Sequence, residues 1–338
     1  MIEDGDLSTE ISRNCCFGIQ NQWVLRHYPQ FYGSKDCSAV GLGLVALVRA
    51  HGLMGLNPTC KVRRKDRSDG GAVRILIISR TGEEKRRQFQ LQQMQKMGLD
   101  FEFLDAFEAR DLSMEECQAA ANTWPSPTLR EDIACFTSHR IAWQIVIERN
   151  ERTLILEDDA VLSSSFSDAI RSIKARSDDW DCVYDLEFAP RPHILARSPS
   201  WSDGIHRATR IFQNRVGNAA YVIGPRAAAK MLEDTKNYAL VDAYFWHRSW
   251  LKAYQIEPTP VVQMQFLDGS ANRSVFLRKS IDRAFLPQSR LRKNVMRLYL
   301  ESIKARNLVR GWLGGEKRPL QIDRSSFAPD PDLALTSG

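Results

Sequence analysis

Thr153-Leu-Ile-Leu-Glu-Asp-Asp-Ala-Val161 is the stretch from which the fold can be read. A run of apolar and β-branched side chains leads straight into Glu157, Asp158 and Asp159, and the chain turns apolar again at once. Such a run reads as a strand buried on both faces, the usual state of a strand in a parallel sheet. The carboxylates at its exit have no packing role, because unpaired buried charge is costly. In open α/β sheets, ligands bind beyond the carboxyl ends of the strands. Glu157 and Asp159 project to the same side of an extended backbone, and hard carboxylate oxygens placed together suit a divalent cation. The competing reading is a polar turn that ends the strand and caps a helix.

The neighbouring sequence favours the sheet. A buried strand is expected over residues 73–78, with Ser79-Arg80-Thr81-Gly82 as its exit loop. A helix follows over 83–97, with Phe89, Leu91, Met94 and Met97 apolar and Gly98 as its C-cap. A second strand over 101–106 completes a βαβ unit. Arg80, Lys85, Arg86 and Arg87 cluster at the loop and first helical turn, where the macrodipole favours acids. They point to a phosphate neighbour or are simply solvated. Helices are expected over 114–121 and 130–150, the second with an apolar face of Ile133, Phe136, Ile141, Ile145 and Val146 beside Trp143. Ser138 and His139 interrupt that helix in its early part, and a lone helical histidine is more often a satisfied structural residue than a ligand. Beyond the acids, a helix is expected over 160–175, strands over 181–187 and from 217, a helix over 226–232, and a last strand over 258–263.

Composition bounds the class. With 338 residues, 43% of them hydrophobic and 26% charged, the chain reads as soluble and globular. Its seven cysteines are scattered and odd in number, so reduced intracellular thiols are expected, with neither a disulfide framework nor a zinc spacing. Residues 1–70 show no periodic element and read as a poorly structured extension. Gly41-Leu-Gly43-Leu-Val-Ala46 fits a dinucleotide fingerprint on paper, but the residues before it make a poor strand. The apolar run over 40–48 is too short to span a bilayer. Residues 71–275 are expected to form the catalytic domain and 276–338 a basic helical tail. In that tail Leu291, Val295 and Leu298 recur at helical spacing among many arginines and lysines. Such a helix is either solvated or lies on an anionic membrane. Nucleic acid is not expected, because no recognition motif accompanies the charge.

Five ordered segments carry a family resemblance: Val73-Arg-Ile-Leu-Ile-Ile-Ser79 with Lys85-Arg-Arg87; Phe101-Glu-Phe-Leu-Asp-Ala106; Asp132-Ile-Ala-Cys-Phe-Thr-Ser-His139 with Trp143; Leu154-Ile-Leu-Glu-Asp-Asp-Ala160; and Gly217-Asn-Ala-Ala-Tyr-Val-Ile-Gly-Pro-Arg-Ala227 with Val241-Asp242. Together, over residues 73–275, they resemble glycosyltransferase family 25, the lipooligosaccharide β-1,4-galactosyltransferase family. They are also similar to the galactosyltransferase domains that modify collagen hydroxylysine. Asp132 and Ala134 stand where the family usually has Glu and Gly.

The resemblance implies a glycosyltransferase-A-like α/β fold with a Rossmann-type mixed sheet in one catalytic domain. It implies inverting transfer of a hexose, galactose foremost, from a UDP-sugar to an acceptor saccharide of lipopolysaccharide or another surface glycan. The acceptor would be lipid-linked or an oligosaccharide, and the enzyme would work in the cytoplasm, at the cytoplasmic face of the inner membrane. Mn²⁺ or Mg²⁺ would be held by Asp159 and Glu157, with Asp158 in support. Ser79, Arg80, Arg86, Arg87, Ser138, His139 and Asp158 are the donor-binding candidates, and Glu157 also belongs to the catalytic set. Inverting transfer needs a base for the acceptor hydroxyl. Asp242 is the first candidate, unless it only caps the helix that follows; Asp185 and Glu187 come next. His247 and Asp268 are further metal candidates. Trp201, Tyr244, Trp246 and Trp250 are either sugar platforms or core. The same acids also suit another metal-dependent nucleotide-processing enzyme, and a catalytically silent interaction protein would be expected to have lost them.

Overall fold

The chain divides into the units Met1–Asp66 and Arg67–Gly338. The computed structural model describes residues 73–176, 181–214, 217–234, 240–246, 248, 250–267 and 285–327, all in the second unit. The extension expected over 1–70, the Gly41–Ala46 motif, His247 and Asp268 lie outside the described residues.

A ten-stranded mixed sheet forms the centre, and its register explains where the acids go. β1 (Arg74–Ser79) runs parallel to both β2 (Glu102–Asp105) and β3 (Thr153–Glu157). Ile78 pairs with Glu157 and Ser79 with Asp105, so the carboxyl ends of these strands finish level. β9 (Ala220–Ile223) lies antiparallel between β3 and β5 (Cys182–Asp185). The start of β9 and the end of β5 therefore share that edge. Glu157, Ser79, Asp105, Asp185 and the segment Gly217-Asn218-Ala219 converge there because strand direction alternates across this part of the sheet.

Alternation of side chains along the strands builds a core on each face. Leu76, Ile78 and Ile155 pack with Phe136, Trp143 and Val146 of α3 (Arg130–Arg149). Ile75, Ile77, Leu154 and Leu156 face the other way, toward Met94 of α1 (Glu84–Met97) and Phe166, Ile170 and Ile173 of α4 (Phe166–Lys174). Each such aliphatic side chain contributes about 1.5–3 kcal/mol when fully buried. The short α2 (Met114–Ala121) is closed by a capping box between Ser113 and Glu116. This is the α/β mixed sheet flanked by helices that the sequence implies.

Elsewhere the structure corrects the expected elements. The helix expected over 160–175 begins as strand β4 (Ala160–Leu162), antiparallel to β11 (Val261–Gln263), and only α4 is helical. Tertiary pairing outweighs local propensity there, because the backbone leaving the acids is buried and must be hydrogen bonded. A strand region formed by β6 (His193–Ala196), β7 (Trp201–Ser202), β8 (Arg207–Gln213) and β10 (Lys252–Glu257) extends the sheet where no strands were expected. α5 (Pro225–Glu233) and α6 (Val241–Trp246) follow β9 closely. In the expected tail, α7 (Arg290–Gly314) leads into β12 (Gly315–Arg318), which pairs with β6 at the sheet edge.

Candidate active site

The turn between β3 and β4 holds its acids in different states. Asp158 is buried and both oxygens are engaged: Ser79 Oγ donates to Oδ2 at 2.8 Å and Arg86 to Oδ1 at 2.9 Å. Asp159 differs, because its Oδ1 is buried and accepts no hydrogen bond. Burial first, then the negative charge of Glu157, raises its pKa to about 7 against the opposing pull of Arg86. Buried polar atoms are seldom left unsatisfied in a folded protein. An oxygen of this kind, beside a second carboxylate, fits a cation better than it fits packing. The donor set of Asp159 and Glu157 is all hard oxygen, which suits Mn²⁺ or Mg²⁺.

The turn is clamped from α1. Gln90 Nε2 donates to the carbonyls of Asp158 at 3.1 Å and Ala160 at 2.8 Å. Gln93 donates to Ala160 O at 3.0 Å and accepts from Leu162 N at 2.9 Å. These buried amides bind the backbone on both sides of Asp159 and so fix where its side chain emerges.

Glu157 is oriented by a chain of hydrogen bonds from the opposite face. Trp143 Nε1 donates to Tyr221 Oη at 2.9 Å, and Tyr221 Oη lies 2.8 Å from His139 Nδ1. Indole is only a donor, so Tyr221 accepts from it. The phenol proton is buried and needs an acceptor, and His139 Nδ1 supplies one. The remaining ring nitrogen, Nε2, then carries hydrogen and donates to Glu157 Oε1 at 3.2 Å. Asn218 Nδ2 donates to the same oxygen at 2.9 Å. Glu157 thus has one oxygen tied down from two directions. Cys135, one turn before His139, brings its thiol close to His139 and Glu157, a grouping with metal-ligand reach. Asn218 Nδ2 also lies 3.1 Å from His139 Nε2, so the imidazole, the amide and Glu157 meet at one point.

Further acids line the same edge. Asp185 and Glu187 are buried, and burial above all pushes both pKa values well up. Asp185 accepts from Glu187 N at 3.0 Å and Asn214 at 3.3 Å, and Glu187 accepts from Ala219 N at 2.7 Å. Gly217 makes the last contact possible. Its φ is +96°, and a Cβ there would lie 3.0 Å from Glu187 Oε2. Asp242 lies in the first turn of α6 with its side chain part-exposed, so it is not the residue that precedes and caps the helix. Its charge adds to the raised pKa values of Asp185 and Glu187, whose larger cause is burial, so it lies toward the same edge.

Ser79, Arg86, His139, Glu157, Asp158, Asp159 and Asp242 are therefore gathered at one edge. Arg87 sits beneath the loop: it donates to Ser79 O at 2.9 Å, pairs with Asp105 and stacks over Phe103. Arg80 is exposed and pairs with Glu83. Ser138 spends its hydroxyl on Ala134 O and Phe107 N, both at 2.9 Å. Tyr244 and Trp246 are core residues, and Trp246 donates to Gly217 O at 3.1 Å. Sequence reasoning missed Asn218 as a partner of Glu157 and missed the glutamine clamp. Glutamines on the inward stripe of α1, at positions where the helix should be apolar, were the signal for the clamp. A separate cavity of about 490 Å³, lined in part by Trp124, Lys230, Trp250 and Tyr299, contains none of these acids.

Comparison with known proteins gives the family. A "Glycosyltransferase 25 family member" of Aedes aegypti is 25% identical over 215 residues, covering 59% of this chain and 35% of the relative. A Haemophilus influenzae protein named as a provisional glycosyltransferase is 26% identical over 198 residues, 55% of this chain and 69% of the relative. Human procollagen galactosyltransferase 2 is 30% identical over 124 residues, 32% of this chain and 20% of the relative. The chain thus matches only about a third of the Aedes relative's length. A crystal structure of a glycosyltransferase involved in glycosylation of the major capsid of PBCV-1 aligns with 67% of this chain and 99% of its own, at 12% identity and a TM-score of 0.30, which is too slight to argue from. The model described as glycosyltransferase family 25 (LPS biosynthesis protein) matches residues 72–246, more than half of the chain. The chain belongs to glycosyltransferase family 25.

Proposed function

We propose that this protein transfers a hexose, galactose foremost, from a UDP-sugar to a saccharide hydroxyl of a surface glycan such as lipopolysaccharide, with inversion at the anomeric carbon. The observation that carries the reading is the unpartnered buried oxygen of Asp159 beside an anchored Glu157 at the carboxyl edge of the sheet. Asp159 and Glu157 would hold a divalent cation, Mn²⁺ or Mg²⁺, in a glycosyltransferase-A-like arrangement. What a cation supplies at such a site is Lewis-acid stabilisation of the charge on the leaving diphosphate. Arg86 holds Asp158 in place and presents its own charge to the donor side of the loop. Ser79 closes the same contact from β1.

Asp242 is the base. It takes the proton of the acceptor hydroxyl as the acceptor oxygen bonds to the anomeric carbon, and the bond from that carbon to UDP breaks with its electron pair. Asp185 and Glu187 fit this role less well, being fully buried and bound to backbone and Asn214. They support the segment that carries Asn218 instead.

The test is donor turnover. With Mn²⁺ the purified protein should hydrolyse UDP-galactose slowly, chelator should stop it, and Asp159→Asn should abolish it. Wild-type turnover in that variant overturns the metal assignment. Asp242→Asn should lower kcat for transfer by about 10²-fold or more while the KM for the UDP-sugar stays near wild type. A thermal-shift screen of UDP-galactose, UDP-glucose and their N-acetyl counterparts identifies the donor.

A further inference from the structure

Among the described residues no helix is long and apolar enough to cross a membrane, yet α7 presents an apolar face to solvent. Successive residues of a helix turn by about 100°. On that basis Met296, Leu300, Ile303, Asn307 and Gly311 share one side, and this side is docked. Ile303, Asn307 and Gly311 are buried, and Met296 and Leu300 pack on the core. A Cβ on Gly311 would lie 2.5 Å from Ile194 Cγ2, so the glycine is what lets the helix approach β6 this closely.

The opposite side should be polar in a helix docked by one face. It is not. Leu291, Val295, Leu298, Val309, Trp312 and Leu313 fall within an arc of about 100°, and all are exposed. Leu291 is 76%, Leu298 71% and Trp312 79% accessible. Asn294, Ser302 and Ala305 fill the rest of the arc, so no charge interrupts it. Arg290 and Arg297 flank the stripe on one side, Arg292, Arg306 and Arg310 on the other, and all are exposed. Glu301 is the only acid in the helix, and it is paired with Lys304. The helix is held at both ends. Gln118 donates to Leu286 O at 2.9 Å just before it, and β12 enters the sheet directly after it.

We propose that this stripe is a peripheral attachment surface for an anionic lipid bilayer. α7 lies in the interfacial plane, its apolar side chains at the acyl boundary and its guanidinium groups on lipid phosphates. A row of cations on each side of an apolar stripe matches a layer of phosphates over hydrocarbon. It fits a second copy of the chain poorly, because a two-fold interface sets the same basic surface against itself.

The test is sedimentation of the full chain with phosphatidylglycerol–phosphatidylcholine vesicles and with phosphatidylcholine vesicles alone. The wild type should bind the anionic vesicles, bind less at high salt, and bind neutral vesicles weakly. Leu298→Glu combined with Trp312→Glu should weaken vesicle binding by at least about tenfold, with unchanged thermal unfolding and unchanged UDP-sugar hydrolysis in solution. The hydrolysis readout separates this inference from the transferase reading. The proposal is overturned if the wild type ignores anionic vesicles, or if the double variant binds them as well as wild type. It is also overturned if light scattering shows a dimer that the double variant converts to monomer without any vesicle binding.

Discussion

At neutral pH Asp159 sits near the midpoint of its titration, and this has consequences that can be measured. Its folded pKa of about 7 lies above the ordinary 3.8, with burial and Glu157 as the main causes. Between those values the folded chain binds more protons than the unfolded chain, so metal-free stability falls as pH rises through that window. Asp159→Asn removes the penalty. Without metal, the variant should melt above wild type at pH 8, and the two should converge as pH approaches 4. A melting difference that ignores pH would refute the assignment. The same shift makes the proton a competitor of the cation. Mn²⁺ affinity should rise with pH up to about 7, with proton release visible by calorimetry in buffers of different ionisation enthalpy.

At the scale of elements, the site exists because α3, β9 and β3 are tied by one hydrogen-bond chain. Trp143 and His139 lie one turn apart on α3, and Tyr221 on β9 bridges them before the chain reaches Glu157. Tyr221→Phe keeps the ring and removes the bridge. The indole N–H and the imidazole each lose a buried partner, so stability in urea unfolding should fall by about 1–3 kcal/mol. Mn²⁺ binding should weaken as well, because Glu157 loses its orientation from that side. A stable variant with wild-type metal affinity would show that Asn218 alone positions the acid. The elements missed from sequence were those whose identity is set by neighbours. β4 is a strand only because β11 lies beside it. The β7–β8 hairpin did carry a local signal, Asp203-Gly204, with Gly204 at φ +93°.

At the scale of the molecule, the C-terminal part of the described chain is fastened to the sheet by a buried ion pair. Arg318 on β12 donates to both oxygens of fully buried Glu257 on β10, at 2.7 and 2.5 Å. Arg207 lies 3.6 Å away, and Gln321 N adds a bond at 3.0 Å. Burial alone would raise the Glu257 pKa, but Arg318 and Gln321 hold it below the ordinary glutamate range. A carboxylate lowered in this way stabilises the fold above its ordinary pKa, and the contribution is lost as pH falls through the folded value. Arg318→Met removes the bidentate partner and leaves only Arg207 and Gln321 N, so it should destabilise by up to about 3–5 kcal/mol. The gap to wild type should narrow below pH 4.5, the ordinary glutamate value. A second change, Glu257→Gln, should restore part of the loss. Leu320 and Phe327 bury themselves in the main core just beyond, so this segment is part of the folded unit.

The apolar run 153–156 and its acids specified a buried strand that ends in carboxylates at the sheet edge, because burial of a strand and the cost of stray charge are both local properties. The order of strand and helix over 73–157 was legible for the same reason. The residue types alone do not rank the acids; the family resemblance gave Asp159 to the metal with Asp158 in support. Glu157, Asp158 and Asp159 are chemically near-equal in a chain, and only the fold gives Asp158 both Ser79 and Arg86 while leaving an oxygen of Asp159 bare. Nor could periodicity say which side of α7 meets the protein, since apolar residues occupy both. That was decided by which face fits against β6, where Gly311 leaves room for Ile194.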